Sequence, residues 1–205
     1  MNKNLLATAS VLCGLLIAGA ALADGEKAAT ATTDAASKEA MMAEMMKYAN
    51  PGPQHEMLKP MVGTWNAVVK SWTGAPEPTV NKGVMKNSMM LGGRYLESRY
   101  KGTYDGKPFE GYGLTGYDLK KNQLISFWID DMSTSWMTTT GGISADGKEL
   151  TGTGTVDGMD GKPMAMRTVT RIESPSKHVY TMYGTMNGQE VPMMEITYDL
   201  ATGKK

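Results

Sequence analysis

Cysteine occurs once in 205 residues, at Cys13, and histidine and phenylalanine twice each. One cysteine excludes a disulfide framework and paired-thiolate chemistry. His55 and His178 stand far apart with no further cysteine near either, so the tetrahedral N/S set of a zinc site is absent and no metal site is expected. An excess of one charge is also missing. Lys and Arg total 21 against 21 Asp and Glu, with the signs interspersed, so the basic surface that a nucleic acid or an anionic membrane needs is not there. No Gly-x-Ser-x-Gly elbow occurs, and Gly111-Tyr112-Gly113 and Gly152-Thr153-Gly154 open no helix that could offer free amides to a phosphate.

What is present begins with a leader. Lys3 supplies a positive start, Leu5 to Leu22 is apolar with small residues, and Ala21-Leu22-Ala23 fits a small-x-small cleavage site, so residues 1–23 read as a signal peptide cut after Ala23 and the protein as periplasmic or secreted. Thr8, Ser10, Gly14 and Gly19 dilute the run below a spanning helix, and no stable membrane insertion is expected after its removal. Residues 24–36, rich in Ala, Thr and charge, read as a flexible linker. Residues 37–62 read as N-terminal helices. Ser37 offers an N-cap, Met41, Met42, Met45, Met46 and Tyr48 follow at helical spacing, and Asn50-Pro51-Gly52-Pro53 stops the run. A second short helix, 54–61, presents Met57, Leu58 and Met61 on one side and is suited to plugging a barrel end.

After Gly63 the apolar period changes from that of a helix to that of a strand, and turn residues recur at short intervals. Strands are predicted over 63–72, 79–90, 94–104, 109–117, 123–130, 134–143, 149–157, 163–173, 178–186 and 190–199. Asp105-Gly106, Asp146-Gly147, Asp160-Gly161 and Asn187-Gly188 supply the positive φ of tight hairpins. No connector can hold a crossover helix, so the sheet is antiparallel. The predicted fold is all-β: an up-and-down barrel of about ten strands over 63–199, with N-terminal capping helices.

Several ordered motifs carry a resemblance. Pro51-Gly52-Pro53-Gln54-His55, Gly63-Thr64-Trp65, Leu91-Gly92-Gly93-Arg94-Tyr95-Leu96, Phe109-Glu110-Gly111-Tyr112-Gly113, Gly116-Tyr117-Asp118 and Trp128-Ile129-Asp130 together resemble the DUF1579 family of bacterial proteins, over roughly residues 41–199. That resemblance implies no activity and no functional residues. More distantly, a helix followed by Gly-x-Trp is similar to the calycin group, the lipocalins and nitrobindin-like barrels. This similarity implies that Trp65 packs at the closed end, beside Arg167 or Arg171. In nitrobindin-like barrels a histidine from a late strand holds haem iron. His178 follows the Ser174-Pro175-Ser176-Lys177 turn and is expected at a strand mouth facing solvent, which weighs against haem, while His55 reads as a surface or capping side chain.

Methionine is the compositional outlier at 19 residues. Thioethers suit Cu(I), but with so few phenylalanines Met reads first as filler of irregular apolar space and as lining for an adaptable pocket. No cofactor is expected. Strand alternation puts Trp128 and Asp130 on one face, Glu97 and Arg99 on another, and Met193 and Glu195 on a third. If these faces point inward, Arg99, Tyr112, Trp128, Asp130, Trp136, Arg167 and Glu195 form a ligand site in an apolar cavity; otherwise Glu97, Arg99 and Glu195 belong to a solvated face. Two functions follow: an exported barrel holding a small, largely apolar ligand, and a small-molecule enzyme using Glu195 or Asp130 as acid or base.

Overall fold

The computed structural model describes residues 27–72, 74, 76–158, 161–186 and 188–202, with side chains from residue 37 onward. The expected leader, residues 1–23, lies outside them. The chain divides into two compact units, Met1–Glu44 and Met45–Lys205.

The first unit contains most of helix α1, Lys27–Met46. It begins ten residues before the expected Ser37 cap, inside the segment read as a linker. Ala28, Ala29, Ala31, Ala35 and Ala36 carry the highest helix propensity of any residue, which outweighs the weak tendency of the threonines. Among the described residues no helix is long and apolar enough to cross a membrane.

In the second unit the predicted single helix over 54–61 is two pieces, the turn α2, Pro53–Glu56, and a 3-10 turn, Lys59–Met61. Pro60, lacking an N–H, prevents a continuous α-helix. Ten strands follow: β1 Gly63–Ser71, β2 Thr79–Met90, β3 Tyr95–Tyr104, β4 Lys107–Asp118, β5 Gln123–Asp130, β6 Met137–Ile143, β7 Glu149–Asp157, β8 Pro163–Ser174, β9 Lys177–Met186 and β10 Gln189–Leu200. Each pairs antiparallel with its sequence neighbours, and β1 pairs with β10 from Trp65↔Leu200 to Ser71↔Met194, closing the sheet into a barrel. Closure removes both sheet edges. The β3–β4 hairpin turns at Asp105 (φ 49°) and Gly106 (φ 73°), the left-handed pair that a tight turn requires. β6 starts three residues later than predicted, because residues 131–136 form a loop held by Asp130, whose Oδ1 accepts from the Met132 amide at 3.1 Å.

Alternation sets the two faces. On β1, Trp65, Ala67, Val69 and Ser71 are buried inward, and Asn66, Val68 and Lys70 face out. The interior holds two apolar clusters. One, at the end where β1 begins, joins Leu58 and Met61 of the N-terminal turns to Leu96, Leu124 and Leu150 at the starts of β3, β5 and β7. Leu58 is wholly buried, and the α2 and 3-10 segment is the plug of this end. The other cluster fills the middle with Trp65, Ala67, Val69, Met85, Tyr100 and Tyr198.

Candidate functional site

The barrel contains a cavity of about 1830 Å³ whose walls combine inward residues of the strands with loop residues such as Met132, Trp136 and Lys162. Those loops follow β5 and β7, so they lie at the end opposite the plug. The cavity is therefore blind at the α2 end and reached through the β5–β6 and β7–β8 loops. Its volume exceeds the few hundred to one thousand Å³ common for small-molecule sites.

The blind end is ordered around Trp65. Its Nε1 donates to the Met61 carbonyl at 2.9 Å, and Asn87 Nδ2 donates to the same oxygen at 2.9 Å, tying the plug to β1 and β2. The indole meets the His178 ring edge-on at 4.3 Å, and His178 stacks on Tyr198 at 4.5 Å. This corrects the sequence expectation for His178. It is 4 % exposed and lines the cavity, because Lys177 opens β9 and the register places His178 opposite the inward Tyr198. Burial lowers its pKa to about 4, so the imidazole is neutral at ordinary pH. His178 thus faces the cavity and not the solvent. His55 is also buried, with Nδ1 accepting from the Gly52 amide at 3.0 Å; it caps α2 from within the protein.

Trp128 and Asp130 do point into the cavity, with Trp128 Nε1 donating to Asp130 Oδ2 at 3.0 Å. The indole lies across Gly111 and Gly113 of β4; a Cβ on Gly113 would stand 3.0 Å from its Cε3, and one on Gly111 would run into the ring. These glycines thus serve close side-chain approach. Trp136 sits at the mouth, 73 % exposed.

The other four expected site residues are on the outer wall. Arg99 Nη2 donates to Glu97 at 2.7 Å and its guanidinium lies 5.2 Å from the Tyr112 ring centre, while the Tyr112 hydroxyl donates to Glu97 at 3.3 Å. The Arg99 hydrogen bond holds the Glu97 carboxyl below its usual range. Arg167 grips Glu190 with two hydrogen bonds of 2.8 and 2.7 Å and lies 4.1 Å over Tyr183. Glu195 pairs with Lys70 directly across the β1–β10 ladder at 3.2 Å. Arg171 likewise pairs with Glu149, so neither late-strand arginine accompanies Trp65; His178 stands there instead. Lys70–Glu195 and Arg171–Glu149 are cross-strand pairs, Glu97–Arg99 lies along β3 and Arg167–Glu190 spans β8 to β10, all on a solvated face, and the inward-facing condition holds only for Trp128 and Asp130.

Sequence reasoning passed over Tyr100, Tyr180 and Tyr198, which line the cavity with His178. Burial raises all three phenols above their usual pKa, with Tyr180 and Tyr100 adding to the effect on Tyr198, so they stay protonated. Among the described residues no group of three or more His, Cys, Asp or Glu is placed to hold a metal ion. Methionines 164, 182, 186, 193 and 194 line the β8–β10 wall, as an adaptable apolar surface would.

The sequence profile described as "Protein of unknown function (DUF1579)" matches residues 50–199. No curated protein sequence matches the chain. Among solved structures, Rv2717c from M. tuberculosis superposes with a TM-score of 0.56 at 14% identity, over 74% of this chain and 99% of that one. A fluorescence-activating barrel, EF1p2_mFAP2b, solved bound to DFHBI, gives 0.41 at 11% identity over 72% of this chain and 99% of its own. A redesigned barrel, b11L5F_LGL, gives 0.36 at 14% over 72% and 95%. The first of these likenesses extends to the fold alone.

Proposed function

The chain belongs to the DUF1579 family of proteins of unknown function, and from that premise we propose that it is an exported barrel that binds a small, largely apolar ligand in its lumen. The observation that carries the reading is the blind cavity of about 1830 Å³, walled by Met, aromatic and aliphatic side chains and, among the described residues, entered at the end opposite the plug. A core filled only for stability would close such a space, since packed interiors leave few voids larger than a water molecule. Export rests on the leader pattern at residues 1–23. Native mass spectrometry of the protein purified from its own host tests the reading: a mass increment released on denaturation is expected, and an unliganded mass that also fails to take up added apolar molecules would contradict it.

A second reading, haem held through His178, is favoured by one observation. The imidazole is buried, neutral at ordinary pH and on the cavity wall. Added haem would then give a ligated Soret band in the native protein and none in His178→Phe. The enzyme alternative has lost Glu195 to the outer wall and retains Asp130, which already accepts from Trp128 and the Met132 amide.

A further inference from the structure

Four polar groups converge on the middle and blind end of the cavity without a protein partner. Tyr100, Tyr180, Tyr198 and His178 all line it, and none of their side chains makes a hydrogen bond to a described residue. Asn87 lines the same region, its Oδ1 buried and unpartnered. Interior polar groups nearly always find partners; of this set only Asn87 Oδ1 is sealed from solvent, so the phenols and the imidazole are reached from the cavity and take their partner there.

The backbone is shaped to bring the set together. Tyr198 faces Ala67 on β1 and His178 on β9, and Ala67 in turn faces Gly83 on β2. Gly83 and Gly102 leave the room that the Tyr100 ring occupies; a Cβ on Gly102 would stand 2.6 Å from the Tyr100 hydroxyl. The two smallest residue types thus separate Tyr100 from Tyr198, and Tyr180 follows His178 on the same face of β9.

Charge is excluded from this region. Among the described residues, the ionisable acidic and basic side chains on the cavity wall other than His178 are Asp130, Asp157 and Lys162, which sit at the ends of β5 and β7 or in the loop before β8, at the mouth. A carboxylate carried to the tyrosines would find hydrogen-bond donors but no counter-charge, and a buried charge without one is strongly disfavoured. An alkane would leave every polar group there unpaired. Phenols, which both donate and accept, and a neutral imidazole, which does the same through its two nitrogens, match an uncharged oxygen.

We infer that the blind end of the cavity receives an uncharged carbonyl or hydroxyl oxygen at the tip of an otherwise apolar molecule, with Tyr100, Tyr198, Tyr180 and His178 as its hydrogen-bond partners and the methionine wall around its body. The inference rests on the ligand-binding reading and narrows it to neutral oxygenated lipids.

The test uses the full mature chain loaded with the neutral dye N-phenylnaphthylamine and competed with four molecules of equal chain length: dodecanone, dodecanol, dodecane and dodecanoate. The ketone or the alcohol is expected to displace the dye more effectively than the carboxylate. Tyr100→Phe and Tyr198→Phe, alone and together, are expected to weaken the ketone or alcohol by roughly tenfold per lost hydrogen bond while leaving dodecane unchanged. Tyr100→Phe alone suffices if the double variant does not fold. Equal losses for alcohol and alkane, or preferential binding of dodecanoate, would overturn the inference while leaving the cavity reading standing. Failure of the dye and all four competitors to bind the native protein would overturn both.

Discussion

At the residue scale the decisive side chain is His178. An imidazole in the unfolded chain takes up its proton near pH 6.5, whereas the buried one resists until about 4. Between those values the unfolded state binds more protons, so stability falls as the pH is lowered through that window. Above pH 6.5 nothing is lost, and below about 4 the loss levels off at roughly 3 kcal/mol. Urea-unfolding midpoints of the native protein and of His178→Phe, taken from pH 7.5 to 4 in parallel, check this: the native curve should fall more steeply, and parallel curves would mean that His178 is not buried neutral. The placement of this residue was not legible in the sequence. A histidine two residues after a Ser-Pro-Ser turn looks like a strand mouth, and only the pairing of β9 with β10, which sets it against Tyr198, reveals the inward face. For Arg99 and Glu97 a signal did exist, because Leu96 and Tyr100 make the alternate set of β3 the more apolar one.

The elements were the most legible level. Asp-Gly and Gly-Gly turns punctuate the chain so regularly that the ten predicted strands match the observed ones to within three residues at each end. What punctuation could not show was the local geometry inside them. The bulge between Pro192 and Met194 shifts the parity of β10, so that Met193 and Met194 both reach the cavity while Glu195 turns outward. Counting by twos along that strand gives the wrong face for Glu195. The glycines of β4 were likewise readable as glycines but not as a bed for Trp128. Replacing Gly111 by Ala would drive a methyl into the indole, at a cost of about 1–3 kcal/mol for overpacking. The expected outcome is a lowered melting temperature together with a shift in tryptophan emission, because Trp128 must leave its hydrogen bond to Asp130 to make room. Unchanged emission and stability would show that the ring does not lie on β4.

On the scale of the molecule, closure and plugging combine to give one chamber with one entrance. The strands supply the wall, β1 and β10 seal it, and the α2 and 3-10 segment stops one end through Leu58 and Met61. Outside, charged residues pair with one another along and across the strands; inside, side-chain polar groups without protein partners line the blind end. The central claim is that this chamber admits a guest. The measurement that tests it most directly is titration of N-phenylnaphthylamine into the native protein and into a variant whose lumen is narrowed by Ser98→Trp and Ser126→Trp, both lining positions, with far-ultraviolet circular dichroism to show that both remain folded. The account predicts saturable binding to the native chain and clearly weaker binding to the narrowed barrel. Absence of saturable binding to the native protein, or equal binding to both, would contradict it.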